Sequence, residues 1–390
     1  MKRVLLLFLS ILNFQAMGQT GWESQNSGTN RTIWSVYFAD QENGCAVGEY
    51  NVYNTTTGGD IWQTQSSGAN SLLRSVCFID SQNGWATGYG NIRHTDDGGT
   101  TWQTQVSGIG NQFYDIHFSD AQNGWAVGYG GYTLHTTNGG SNWQYQPTGS
   151  TADLKSVFFL TAQTGWAVGD ISILKTTNGG TSWQNQNSGA TNWLTSVFFL
   201  NEQNGWVVGY DGAIFHTTNG GATWQSQTSG TSVPLHSVYF INDQIGWIAA
   251  SNGIVLHTIN SGATWQIQNT GVDKALRSVW FIDDQNGWAV GDGGTILHTS
   301  TAGEITANKT LLSSPTFSLY PNPAEEMVTL QTNGPILSVQ VTDALGRNVE
   351  TGHALSLQDN HINISSLKPG IYWVKVKTAE GVAVQRVLKR

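Results

Sequence analysis

Cysteine is almost missing from this chain, with only Cys45 and Cys77 among 390 residues. That excludes a disulfide-stapled scaffold and a metal centre built on several thiolates. Charge is scarce too: Asp, Glu, Lys and Arg make up 11% of the residues, with a formal net charge of −9. Residues 315–390 carry seven Lys/Arg and six Asp/Glu, so the negative excess lies in the rest of the chain. An acidic chain without a basic stripe is a poor partner for nucleic acid or an anionic membrane. Long apolar runs are missing except for Val4 to Leu12, which is too short to span a bilayer as a permanent helix. Proline is rare as well, and five of the seven lie from Pro315 onward. Ahead of that region no stretch holds a 3.6-residue apolar period, which excludes a helical domain there.

Tryptophan is what the chain has in plenty. Trp22, Trp62, Trp102, Trp143, Trp183, Trp224 and Trp265 fall 40 or 41 residues apart. A second series, Trp85, Trp125, Trp166, Trp206, Trp247 and Trp288, keeps that step and begins one period earlier at Cys45. Two large anchors locked to one period mean that a single unit is repeated, and a period near 40 is that of a four-stranded propeller blade. The unit has four strand-length pieces, L-x-S-V-x-F, N-G-W-A-V-G, I-L-H-T-T and W-Q-x-Q, rich in β-branched and aromatic residues with Gly or Asn at the joints. Pairs such as Asn43-Gly44 and Asn123-Gly124 predict tight hairpins in which both residues take positive φ. Thr164-Gly165 and Ile245-Gly246 lack the Asn and predict looser turns. The first piece (Val36/Phe38, Val76/Phe78 and their counterparts) alternates with further large residues, Tyr37, Cys77, His117, Phe158, Phe198, Tyr239 and Trp280. Apolar on both faces, it is expected to be packed between neighbouring blades.

The count closes on itself. Seven copies of the first three pieces are present, but the last unit, Thr299 to Thr306, has no tryptophan. The missing fourth strand stands at the other end, as Gly21-Trp22-Glu23-Ser24-Gln25. An all-β, seven-bladed propeller follows, its last blade completed by the N-terminal strand against Ile296-Leu297-His298, which removes the open edge. Cys45 and Cys77 then fall near the interface of blades 1 and 2, where a disulfide and two buried thiols both remain open readings.

The turns before the tryptophans, such as TDDGGTTW at 95–102 and TTNGGTSW at 176–183, resemble the Asp-box of sialidase-like and related propellers. Only Asp97 keeps the acid at the third position; Asn138, Asn178, Asn219 and Asn260 replace it, and Thr57 departs. Seven copies in one ring resemble the BNR-like propellers related to photosystem II assembly and stability factors. That resemblance spans about residues 20–306 and implies fold and protein binding. The box is structural in that family and brings no chemistry with it.

Residues 1–18 read as a signal peptide, with Lys2 and Arg3, the apolar run, and Ala16-Met17-Gly18 before the cut. The propeller is assigned to 19–303 and a linker to 304–316. Residues 317–390 resemble the C-terminal sorting domain of the type IX secretion system, through Tyr320-Pro321-Asn322-Pro323, the turn Asp343 to Arg347, Leu367-Lys368-Pro369-Gly370-Ile371-Tyr372, and the basic terminus. This implies a small Ig-like β-sandwich, the type IX machinery as a partner, and passage through the periplasm and over the outer membrane to the surface or the medium. A photosystem role does not fit such a chain.

Little points to chemistry. His94, His135, His216, His257 and His298 recur on the third strand, but equivalent positions of separate blades stand about 10 Å apart, too far to share a metal. The Asp120 to Gly124 type of turn supplies too few oxygens for calcium. No metal or cofactor is expected. The residue before Ser-Val varies in kind between blades (Trp34, Arg74, Tyr114, Lys155, Thr195, His236, Arg277), as do the loops after the second strand, which hold Glu49, Tyr129, Asp170, Tyr210 and Asp292. Variation on a fixed frame suits a binding face, and Trp34, Arg74, Tyr114, Arg277, Tyr129 and Tyr210 are its candidates. The leading expectation is a secreted or surface-displayed propeller that binds a protein or glycan without catalysis. The alternative is a glycoside hydrolase or polysaccharide lyase using Asp115, which replaces the repeated Ser, with Glu49, Asp170 or Asp292.

Overall fold

The computed structural model describes residues 21–304, apart from 67, 69–71, 91 and 109, and residues 317–390, apart from 333–335, 344–348, 350–360 and 379–380. The expected signal peptide, the linker beyond Glu304 and the turn after Asp343 lie outside the described residues. Two compact units divide the chain, Met1–Ile305 and Thr306–Arg390.

Among the described residues, the first unit holds seven four-stranded sheets. Blade 1 runs Ile33–Phe38, Gly44–Gly48, Asn51–Thr55 and Gln63–Ser66, each strand antiparallel to the last. Its inner strand touches the inner strand of blade 2, Leu73–Phe78, on one side and that of blade 7, Leu276–Phe281, on the other. The contacts continue from blade to blade until the ring is closed. Blade 7 takes its outer strand from Gly21–Gln25, with Glu23 opposite His298, Ser24 opposite Leu297 and Gln25 opposite Ile296. The turn Thr299–Gly303 keeps the Asp-box backbone, because the Gly303 N–H donates to Thr299 Oγ1 at 2.8 Å as Gly59 does to Thr55 Oγ1 at 3.0 Å. Trp22 enters beneath it, buried, in place of the indole the seventh unit lacks.

The interblade core is aromatic and repeats. Phe38 lies flat on Trp288 of the preceding blade at 3.5 Å between ring centroids and meets its own blade's Trp62 edge-on at 5.8 Å. Phe118 does the same with Trp85 at 3.7 Å and Trp143 at 5.9 Å. Such stacked and T-shaped pairs add to area burial. The indole N–H then crosses the seam: Trp288 donates to the Gly58 carbonyl at 3.2 Å and Trp125 to that of Gly179 at 3.0 Å. Beside it, the second Gln of W-Q-x-Q clamps the same turn, as Gln25 Nε2 donates to Gly58 O at 2.9 Å and its Oε1 accepts from Trp62 Nε1 at 3.2 Å.

Two expectations need correction. The Asn-Gly pairs are not positive-φ hairpins, since neither Asn43 nor Gly44 appears in that region of the backbone. The turn is made instead by Asp40, whose Oδ1 accepts from the backbone N–H of Glu42 and of Asn43, both at 2.8 Å. The hydrogen bonds from Asn43 hold the Asp40 carboxyl below the usual range. Gly44 begins the second strand opposite Phe38, and a Cβ there would lie 2.4 Å from the phenyl ring. All seven units keep this Gly because it is packed under a ring, whereas the Asn serves a surface turn and can be lost. The second concerns Tyr37 and its counterparts, which line the central channel as well as packing against the seams. They form a girdle around the axis, with Tyr37–Trp280 and Tyr239–Trp280 at 4.7 Å, Phe198–Tyr239 at 5.3 Å and His117–Phe158 at 4.7 Å. A narrow channel brings these side chains of neighbouring blades into contact around it, so bulk is demanded there as well.

In the second unit, the strands Phe317–Tyr320, Met327–Thr332 and His361–Asn363 form one sheet, and Ile336–Asp343, Gly370–Thr378 and Gly381–Lys389 form the other. Leu319, Val328, Leu330, Ile362, Val374 and Val387 from both sheets share one core. Asn322, between the two prolines, docks on the last strand by donating to Arg386 O at 2.7 Å and accepting from Leu388 N at 2.9 Å. Among the described residues, no helix is long and apolar enough to cross a membrane.

Because Trp22 supplies the outer-strand indole of blade 7, edge-on to Phe281, Trp22→Ala is expected to lower the ring's unfolding free energy by about 3–5 kcal/mol. Trp193→Ala, at an exposed ring, should change it by no more than about 0.5 kcal/mol. Urea unfolding of both variants, followed by far-UV circular dichroism, checks the contrast.

Candidate functional site

The inner strands open at one end of the channel into a cavity of about 620 Å³, with the side chains that begin those strands at its rim. What aims those side chains is a break in register. In blade 1, Ile33 pairs with Gly48 and Ser35 with Val47, so Trp34 is an extra residue in the ladder. The same shift occurs in blades 2, 3, 5, 6 and 7, at Arg74, Tyr114, Thr195, His236 and Arg277. A bulge of this kind re-aims a side chain, and here it turns the varied residue toward the axis beside the Ser that follows it.

Trp34, Arg74, Tyr114, Arg277 and Tyr210 therefore line one cavity, together with Lys155 and Trp193. Tyr129 does not: it stands outside the cavity, 58% exposed, on a 3-10 turn. Five rim residues from five successive blades alternate cation and ring. The Arg277 guanidinium lies 5.0 Å from the Trp34 ring, Arg74 lies 4.1 Å from Trp34 and 5.5 Å from Tyr114, and Lys155 lies 3.7 Å from Tyr114. Such contacts hold the cations in place over the ring faces.

The three cations are not equally compensated. Arg277 makes a two-pronged bond to Asp292, Nε to Oδ1 at 2.9 Å and Nη2 to Oδ2 at 2.6 Å. Lys155 pairs with Asp153 at 2.9 Å, and the same carboxylate accepts from the Tyr114 hydroxyl at 3.2 Å. Burial, and then Asp153, push the Tyr114 hydroxyl up to about 12. Arg74 has no carboxylate partner among the described residues, and its Nε is buried without an acceptor, as is the Trp34 indole N–H. Burial pulls the Arg74 pKa below its ordinary value, yet a guanidinium keeps its charge.

Of the acidic candidates, only Asp115 lines the cavity. Its Oδ1 accepts from Ser75 Oγ at 2.6 Å and from its neighbour Ile116 N at 2.9 Å, and its Oδ2 from Val157 N at 2.9 Å. Burial pushes its carboxyl up, while these bonds pull the other way. It thus performs the interblade task of the repeated Ser, seen where Ser35 Oγ accepts from Val76 N at 3.3 Å and Ser196 Oγ from Val238 N at 3.2 Å. Glu49 faces Arg31 at 3.6 Å, and Asp292 is held by Arg277. Asp170 has φ +43° and belongs to a set of left-handed turn positions with Asp211 and Asn252, so part of the loop variation is turn chemistry. The third-strand imidazoles lie against their own blade's indole, as in Trp125–His135 at 4.6 Å and Trp206–His216 at 4.6 Å.

Trp193 is the rim residue that sequence reading passed over. It is 52% exposed and tilts against Tyr210 at 5.5 Å. It belongs to neither periodic tryptophan series, and that was the signal available to find it.

A closed ring of four-stranded blades with Asp-box turns defines a β-propeller of the Asp-box class. The chain belongs to the Photosynthesis system II assembly factor YCF48 family, whose model matches residues 14–107, 102–190 and 183–271. Residues 318–390 match the secretion system C-terminal sorting domain, which marks the chain for type IX export to the cell surface or beyond. Among solved structures, the chain is similar to one described as "YCF48 bound to D1 peptide", at 21% identity over 73% of this chain and 97% of that one, with a TM-score of 0.62. YCF48 from Cyanidioschyzon merolae is similar at 18% identity over 71% and 98%, with a TM-score of 0.60. The WD40 propeller domain of Doa1 superposes at 11% identity over 72% and 96%, with a TM-score of 0.61. Among curated proteins, none matches the chain by sequence.

His117, in the girdle below the mouth, is pushed down to about 4 by burial. Its neutral form adds stability above its ordinary value of 6.5, and that stability is lost as the pH falls toward 4. His236, also held near 4, acts in the same window. His117→Phe, the residue blades 4 and 5 carry there, is expected to flatten the fall between those limits by about 3 kcal/mol. Denaturant unfolding at a series of pH values measures it.

Proposed function

We propose that this protein is an exported, non-catalytic binding propeller whose axial mouth takes a protein segment or glycan bearing a negative charge. The observation that carries this reading is Arg74: a half-buried guanidinium without a carboxylate, held between two aromatic rings, at the open end of an otherwise acidic ring. An uncompensated cation in a partly dried site gains most from a ligand carboxylate or similar anion, and an Arg can grip it with two parallel bonds. Elsewhere on the same cavity, the exposed Trp193, tilted against the half-buried Tyr210, supplies an aromatic edge on which a side chain or a sugar face can lie. The solved relative described as bound to a peptide supports a protein ligand by analogy of fold. We take residues 1–18 as the signal that brings the chain to the periplasm, and the sorting domain as what carries it over the outer membrane.

Catalysis is disfavoured by the state of the acids. A hydrolase needs two carboxyl groups facing one bond, whereas Asp115 is spent on the seam and Asp292 on Arg277.

Arrays of glycans and of cell-envelope proteins, probed with the mature chain, should show capture that falls at least about thirtyfold in Arg74→Ala, the loss of a charged hydrogen-bond pair. Replacing Trp34, Tyr114 and Arg277 together by Ala should abolish it, with thermal unfolding of the Arg74 variant unchanged. Undiminished capture by both variants would reject the mouth. Release of new reducing ends from a polysaccharide, lost in Asp115→Asn, would replace binding by hydrolysis.

A further inference from the structure

Seven seams join the blades, and six are filled alike. In those six, a second-strand indole lies on the next blade's inner-strand phenyl ring with centroids 3.5–3.7 Å apart. In five of them its N–H donates to a carbonyl of the next blade's Asp-box turn, at 3.0–3.4 Å. A third-strand side chain covers the other face, an imidazole in five cases and Lys175 over Trp166 in the sixth.

The seam between blades 1 and 2 departs at both positions at once. Cys45 stands where the indole belongs and Asn54 where the imidazole belongs. Two independent reductions at one place leave a cavity of about 420 Å³, lined by Cys45, Asn54, Gln65, Phe78 and Gly98. Phe78 is 8% exposed, whereas its six counterparts range from 0 to 4%. Tyr37 leans on it from the channel side at 5.2 Å, well short of the closeness an indole reaches elsewhere. The polar groups facing this space are only partly met. Asn54 Nδ2 crosses the seam to donate to the Gly99 carbonyl at 2.6 Å, but its Oδ1 is buried without a partner, and among the described residues no hydrogen bond reaches the Gly98 carbonyl, the counterpart of Gly58 and Gly139.

We infer that this seam is a binding pocket for a planar aromatic ring carrying an N–H donor, of the indole type. The repeat itself states the complement: a flat ring with one face against Phe78 and the other toward Asn54, its edge toward Cys45 and its N–H on Gly98. Gln65, which is free of the clamp that Gln25 makes on the next turn, faces the same space and can close over the ring. Room is ample, since an apolar cavity of about 150 Å³ already takes benzene. The pocket lies between two blades and shares neither Arg74 nor Trp34 with the mouth.

The test is ¹⁹F NMR titration of the mature full chain with 5-fluoroindole, 1-methyl-5-fluoroindole and N-acetyl-5-fluorotryptophan amide. Saturable binding of 5-fluoroindole is expected, about fivefold tighter than its N-methyl analogue, as the loss of one hydrogen bond requires. Cys45→Trp, which restores the repeat, should abolish binding and raise the thermal midpoint. Asn54→His restores the imidazole that covers the indole in five other seams and should tighten binding, a readout that holds even if the first variant does not fold. If the tryptophan amide binds as well as 5-fluoroindole, the natural occupant is a side chain of another polypeptide; if only 5-fluoroindole binds, it is a small molecule. Absence of saturable binding by any of the three probes, or binding that Asn54→His fails to tighten or that a folded Cys45→Trp leaves unchanged, overturns the proposal.

Discussion

The whole ring depends on one contact, made between blades and not within them. An inner-strand phenylalanine needs the flat face of the preceding blade's indole and the edge of its own outer-strand tryptophan, as Phe118 has in Trp85 and Trp143. The indole N–H and a clamping glutamine then fasten the next turn, as Trp85 and Gln105 both do at Gly139. A single blade therefore satisfies neither its rings nor its polar edges alone, so stability accumulates only as neighbours stack. Closure by Trp22, bonded to Gln268 across the chain's two ends at 3.1 Å, is the same contact made once more.

Because cohesion resides at the seams, the axial end is free to carry other residues. A one-residue bulge lifts one side chain per blade out of the ladder and toward the axis, so a substitution there changes the mouth without touching the stack. The result is an arc in which cations and rings support one another from blade 7 through blade 4. Two of its cations are neutralised by their own blade's loops, which leaves Arg74 as the charge still seeking a partner. In a chain sorted outward by its C-terminal unit, that charge is what the proposed binding role rests on.

Trp34, Arg74, Tyr114 and Arg277 are legible as a group in the amino-acid sequence, because they vary in kind while Ser and Val beside them repeat. Tyr129 and Asp170 look equally varied in the chain, yet one stands apart from the cavity and the other fills a left-handed turn. Local variation reports freedom from the frame, and it does not report direction. Asn-Gly misled for a related reason: the pair has strong turn chemistry of its own, and packing under Phe38 overrode it. The girdle from Tyr37 to Trp280 was legible as bulk on both faces of a strand, but which neighbour that bulk meets depends on how wide the channel is.

Taken by itself, the amino-acid order determined the repeat, the number of units, the borrowed outer strand and the sorting domain. Each of these is written in spacing along the chain, and the partners in a 40-residue period are related by translation alone. Tertiary structure decided which residues converge on the axis, that Asp115 serves a seam, and that Cys45 and Asn54 open a single space. Those facts arise between blades, where strand twist and register bring together residues about 40 or more positions apart, and no local pattern encodes that meeting.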